Sequence, residues 1–236
     1  MLWEKKWKLS YNMGRTLNII FFDSQLVVSL ISFIFSLKLI KNKYAPIYMR
    51  SFYIYPAVGL LIIIPLFLTT HFFKSYIMYS SILNNLSTIF HYCFLSVFII
   101  RVMPNRSIDN FIKLIFATFL LLIIIVLIKE DVTKPNSFAF ATANLGLTIF
   151  CIIYYFKLFN NLPVLDLKNE PSFWIITGVF FCMSTHIPLI TAYDYLYNKI
   201  PLFSIRIINL LAIFCYVVMH LFFIKAYVCS ARLQKA

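Results

Sequence analysis

FIKLIFATFLLLIIIVLIK, residues 111–129, decides the fold. Between Lys113 and Lys129 it carries no ionisable side chain and a single hydroxyl, Thr118. The run is apolar on every face, so no helical period separates a core side from a water side, as expected of a helix surrounded by lipid. Working outward, six further runs occupy 19–40, 51–73, 76–100, 137–157, 171–195 and 201–226. Each is close to the roughly 20 residues that cross a bilayer. Short connections such as KNKYAP (41–46) and RVMPNRS (101–107) separate them, and 51–73 meets 76–100 in a very tight turn at Lys74 and Ser75. The chain is 62% hydrophobic and 12% charged, against about a quarter charged in soluble domains. The expected fold is all-α, a polytopic membrane helical bundle with seven transmembrane helices. An interfacial segment (1–18) precedes a transmembrane domain (19–226), and a short tail (227–236) follows.

A net charge of +13 would suggest nucleic acid in a soluble protein. Here the lysines and arginines fall between apolar runs, where they face anionic headgroups, so the partner they imply is the lipid bilayer and not nucleic acid. With seven spans the basic residues are more numerous on the side of the C-terminus, placing the N-terminus outside and the C-terminus inside a bacterial inner membrane. Lys5, Lys6, Lys8 and Arg15 oppose that orientation. The apolar run after them continues past signal-peptide length without a small-x-small site, so the first span is expected to be retained. Segment 1–18, with Trp3, Trp7, Leu9 and Tyr11 among its lysines, suits a short amphipathic helix at the interface. Cys93, Cys151, Cys182, Cys215 and Cys229 form no CxxC pair and read as small packing residues.

Polar groups within spans are costly and usually face the bundle interior. Ser81, Asn84, Asn85, Thr88 and His91 form one stripe at helical spacing; Asn144, Thr148, Cys151 and Tyr155 form a second. Arg206, Asn209, Tyr216 and His220 form a third, and Gln25, Ser29, Ser32 and Ser36 a fourth, with Asp23 nearby. Counted from the ends of their spans, Asp23, Gln25, Asn84, Asn85, Asn144, Thr185, His186, Arg206 and Asn209 lie in the half nearer the N-terminal side, with His71 at that surface. These nine are the candidate ligand-binding residues, with an Asp23–Arg206 ion pair as a closing contact. The competing reading is that Ser, Thr and Asn bond across helices as packing glue, at about 0.6 kcal/mol each. The run 111–129 is expected to be the most lipid-exposed helix.

Pro65 and Pro188 fall inside spans and are candidate hinges. Pro188 removes a hydrogen bond to the Ser184 carbonyl, beside Thr185 and His186. The four histidines, His71, His91, His186 and His220, lie on different spans and at three depths, without an HxxxH pair. Ser87-x-x-x-His91 resembles one piece of the pattern in seven-helix zinc hydrolases that act on lipids, but His220 stands without the paired histidine those enzymes need. No metal, cofactor or catalytic residue is therefore expected, and a membrane-embedded enzyme is the reading the sequence supports least.

PSFWIITGVFF (171–181), with the compact seven-span layout, resembles small integral membrane proteins of Bacteroidota encoded near sensor kinases or regulators. That resemblance implies a signalling context and a kinase or regulator as partner, and assigns no functional residue. Retinal proteins fit poorly, because the last run has no lysine before Lys225. Small sugar transporters of three spans, a linker and three more would suit the featureless fourth run, but the two halves show no internal similarity. The leading expectation is a sensory, receptor-like module that binds a small-molecule ligand and signals through a partner. Solute or ion transport, and a structural role in a membrane complex, are the alternatives.

Overall fold

The computed structural model describes residues 23–38, 47–72, 77–103, 109–129, 136–160, 167–196 and 202–232. Segment 1–18 and the Lys74–Ser75 turn lie outside the described residues. The described chain is all helix and connection. It comprises α1 (23–38), α2 (Ile47–Ser51), α3 (Ile54–Phe72), α4 (Ile77–Val102), α5 (Asp109–Lys129), α6 (Ser137–Asn160), α7 (Pro171–Leu196) and α8 (Leu202–Arg232), with a 3-10 turn at Leu167–Asn169 before α7. Six stretches are long and apolar enough to cross a bilayer: Ile47–Leu68, Ser81–Val102, Asn110–Lys129, Ser137–Asn160, Pro171–Thr191 and Ile207–Ala231. The protein is a polytopic α-helical membrane bundle.

Local chemistry sets the helix ends. Proline is tolerated in the first turn of a helix, and Pro56 sits there in α3. It cannot donate to the Phe52 carbonyl, which accepts instead from the Tyr55 amide at 3.2 Å. The rod is thereby broken at Phe52–Tyr53, between α2 and α3. Pro65 and Pro188, by contrast, sit inside helices that stay continuous through them. Asn136 caps α6, its Oδ1 accepting from the Ala139 amide at 2.8 Å. Pro171 occupies the first position of α7, where its missing N–H costs nothing. α8 runs on to Arg232, past the boundary at 226 drawn for its span.

α6 is central, packing on α4, α5 and α7, and α7 pairs most extensively with α8. Two glycines permit the closest approaches. A methyl group at Gly178 would stand 2.7 Å from Phe222 Cβ and 3.2 Å from the Met219 carbonyl oxygen of α8. One at Gly146 would stand 2.8 Å from a Tyr92 ring carbon and 3.0 Å from the Phe119 ring. Small residues that let backbones meet replace, in lipid, the hydrophobic drive that packs helices in water. α5 is peripheral: only 17% of its apolar window is buried, the lowest share among the six. Its one hydroxyl, on Thr118, is exposed and donates to its own helix at the Leu114 carbonyl, 2.9 Å away.

Candidate functional site

The polar stripes of α4 and α8 and the apolar face of α3 enclose a cavity of about 360 Å³. It occupies the half of the bundle where α3 and α7 end and α4, α6 and α8 begin. α3 supplies Gly59, Ile62, Ile63 and Leu66, an i, i+3, i+4, i+7 face without a polar atom in its side chains. α4 supplies Asn84, Ser87, Thr88 and His91 at the same spacing, with Asn85 beside them. α8 contributes residues from Ile208 to His220, which is about 18 Å along a helix axis. His186, Leu189 and Ile190 come from α7, Phe140 from α6, and Gln25 from α1. The cavity is thus apolar on one wall and hydrogen-bonding on another, the usual make-up of a small-molecule site.

Five of the nine predicted residues line it: Gln25, Asn84, Asn85, His186 and Asn209. Asn144 does not; it is 3% exposed on the packed face of α6, where its carbonyl accepts from Thr148 Oγ1 at 2.8 Å. Thr185 does not either, and donates to the Phe181 carbonyl at 2.7 Å. Asp23 stands at the start of the described part of α1 and is not among the lining residues. Arg206 belongs to α8 by its backbone, while its side chain, like that of His71, lies outside the described residues; so does the Asp23–Arg206 contact. Neither Pro65 nor Pro188 lines the cavity, although their neighbours Leu66 and Leu189 do.

Three histidines that the sequence set at separate depths share this space, because the cavity is long enough to span those depths. His91 Nδ1 is 2.7 Å from Tyr55 Oη. His186 Nδ1 is 2.7 Å from the Cys182 carbonyl, so that nitrogen carries the proton, and its ring lies 4.7 Å from that of Tyr216. His220 Nε2 is 3.3 Å from Ser29 Oγ, tying α8 to α1. Among the described residues no three His, Cys, Asp or Glu are grouped to hold a metal ion. Tyr55, Gly59 and Asn136 also line the cavity, and none of them stands in a polar stripe of the sequence. Asn136 joins three helices, since besides capping α6 it donates from its amide N–H to Asn85 Oδ1 and from Nδ2 to the Val126 carbonyl, each at 3.4 Å.

An aromatic layer lies behind Tyr55. Phe52, freed by the α2–α3 break to point inward, packs 4.6 Å from Phe98, 5.2 Å from Phe223 and 5.8 Å from Phe94, between ring centroids. Tyr55 lies 5.6 Å from Phe223 and contributes both to this layer and to the cavity wall. Beyond the layer, in the far half, a polar cluster joins three helices. Glu170 Oε1 accepts from Ser172 Oγ at 2.6 Å and from Tyr48 Oη at 3.2 Å, and Tyr154 Oη lies 3.4 Å from Ser172 Oγ. Trp174 Nε1 donates to the Lys168 carbonyl at 2.9 Å, holding the 3-10 turn against α7, and Lys225 Nζ stands 5.4 Å over the Trp174 ring.

No family model matches the chain, and neither a curated protein nor a solved structure is significantly similar to it.

Proposed function

We propose that this chain is a seven-span, receptor-like module of a bacterial inner membrane, with α1 as the first span. Its cavity binds a small molecule, and it signals through a partner protein of the kinase or regulator type. The observation that carries the reading is the one-sided cavity: an apolar wall facing hydrogen-bonding groups, with the rings of Phe52, Phe94, Phe98 and Phe223 packed behind Tyr55. A volume of about 360 Å³ falls within the range of roughly 300–1,000 Å³ typical of ligand sites. Tyr55 touches both the cavity and the aromatic layer, and α2, next along the chain, reaches Glu170 in the far half through Tyr48. A ligand that presses on Tyr55 therefore has a short covalent and packed route to the opposite end, which suits sensing.

The signalling context and the N-out orientation rest on the loop charges and on the resemblance of residues 171–181 to the Bacteroidota proteins. The test is purification in native-lipid nanodiscs, mass spectrometry of whatever remains bound, and the same measurement on Gly59→Phe, which fills the cavity. A small molecule lost in Gly59→Phe, together with a co-purifying kinase or regulator, is the expected result. Equal retention by both proteins removes the cavity from the reading. Solute flux in proteoliposomes, absent from empty vesicles, replaces the receptor by a transporter.

A further inference from the structure

The inner end of the cavity is built from groups whose positions fix what they can accept. Tyr55 and His91 stand on α3 and α4, and their side chains meet in a hydrogen bond of 2.7 Å within the lining. Tyr55 is held by rings on three sides: Phe90 of α4 at 6.1 Å, Phe94 at 5.5 Å and Phe223 of α8 at 5.6 Å. His91 meets the edge of Tyr55 at 5.2 Å and that of Phe90 at 5.9 Å. Neither ring can turn without disturbing the layer beneath. A phenol is a stronger acid than a neutral imidazole N–H, so the Tyr55 hydroxyl donates to Nδ1 and the imidazole proton resides on Nε2. Nε2–H is then the polar position left on His91 for a ligand.

The geometry points to the His91–Tyr55 couple as the ligand anchor: His91 Nε2 donates to an uncharged oxygen acceptor, a carbonyl or hydroxyl, carried on an apolar body. Tyr55 is the positioning residue that fixes the imidazole tautomer. This inference rests on the cavity being a binding site, and deepens it by naming the ligand's chemistry. The body is apolar because the α3 wall beside the couple consists of Gly59, Ile62 and Ile63. The anchored group is uncharged because no Lys, Arg, Asp or Glu is among the described lining residues, which beside the couple include Tyr216 and His220, and an ion there gives up its hydration without a counter-charge. A two-ring body fits, since a cavity of roughly 150 Å³ already holds benzene.

Three probes of one shape separate these terms: 2-acetylnaphthalene, naphthalene and 2-naphthoate. Gly59→Cys places a thiol on the cavity wall, where a side chain meets nothing within 4 Å. The rate at which a small thiol reagent modifies residue 59 is read by peptide mass spectrometry in nanodiscs of one lipid composition, with Cys151 as a buried internal reference. The expected result is protection of the introduced thiol by 2-acetylnaphthalene at concentrations about fivefold to tenfold lower than by naphthalene, the gain of one hydrogen bond. His91→Leu and Tyr55→Phe, each made in the Gly59→Cys background, abolish that preference and leave protection by naphthalene unchanged, which a loss of packing would not do. If both neutral probes protect equally, if 2-naphthoate protects best, or if the preference survives His91→Leu, the anchor is wrong while the cavity stands. If none of the three protects the introduced thiol, the binding site itself is wrong, and the anchor with it.

Discussion

Replacing Gly178 by alanine puts a methyl carbon 2.7 Å from Phe222 Cβ and 3.2 Å from the Met219 carbonyl oxygen. Carbon atoms prefer separations of about 3.5–4.0 Å, so the overlap is about 1 Å. It falls on the first atom of a side chain and on backbone, and neither can rotate away. α7 and α8 must separate, at the most extensive helix pair in the bundle. Overpacking of this kind costs about 1–3 kcal/mol. The control is Gly59→Ala, the same change in the middle of another span, where the new methyl meets nothing within 4 Å. There the helix propensity gained, up to about 1 kcal/mol, is unopposed. Cys182 and Cys215, buried on α7 and α8, provide the assay: their reactivity toward a thiol-activated fluorophore is followed during heating in detergent. At about 2–4 °C per kcal/mol for a chain of this size, Gly178→Ala lowers the midpoint by about 2–12 °C, and Gly59→Ala holds or raises it. Equal midpoints for the two variants would refute the argument that Gly178 sets the helix spacing.

Three other perturbations test separate parts of the structure. Asn136→Ala removes the cap of α6 and costs about 1 kcal/mol, with faster amide exchange at residues 137–139, whereas Asn136→Asp retains protection. Phe52→Ala removes a ring from the centre of the aromatic layer and costs about 3–5 kcal/mol, while Leu121→Ala on the exposed face of α5 stays within about 0.5 kcal/mol; thermal midpoints measured side by side distinguish them. Ser172→Ala deletes the 2.6 Å bond to Glu170 and destabilises by about 1.5–3 kcal/mol, as expected for a hydrogen bond to a charged group. Tyr48→Phe, which loses the longer bond of 3.2 Å, costs less in the same denaturation series.

The apolar runs were legible because lipid demands length and hydropathy, and both are local properties. α5 shows this most plainly: a run without a polar face became the peripheral helix. The stripe Asn84, Asn85, Thr88 and His91 was legible for the same reason, since helical spacing fixes a common face before any neighbour is known. What spacing could not supply was the neighbour. Asn144 and Asn209 had equal standing in their stripes, yet Asn209 meets the cavity while Asn144 meets the packed centre of the bundle. A polar face points inward in both cases, and only the packing of other helices decides between a void and a side chain there. Gly59 carried no signal, because it matters through what is missing around it. Asn136 carried a weak one, an Asn–Ser pair before an apolar run, which reads as a helix start and says nothing of a cavity. Pro56 and Pro65 look alike in sequence, but only Pro56 accompanies a break, because it falls where the rod also begins a new first turn.

The length of α8 bears on what lies outside the membrane. Its 31 residues extend about 46 Å, against a hydrocarbon thickness of about 30 Å. Fitting that rod within the bilayer by inclination alone would take nearly 50°, beyond the usual limit of about 40°. Some of α8 must therefore stand beyond the hydrocarbon, at the level of the headgroups. At its C-terminal end Tyr227, Cys229 and Ser230 are still buried, with Cys229 Sγ 3.5 Å from the Lys168 carbonyl of the turn that leads into α7. The end of α8 and the Leu167–Glu170 turn are thus packed together at the membrane surface, and the helix that holds them there is the one that forms a wall of the cavity.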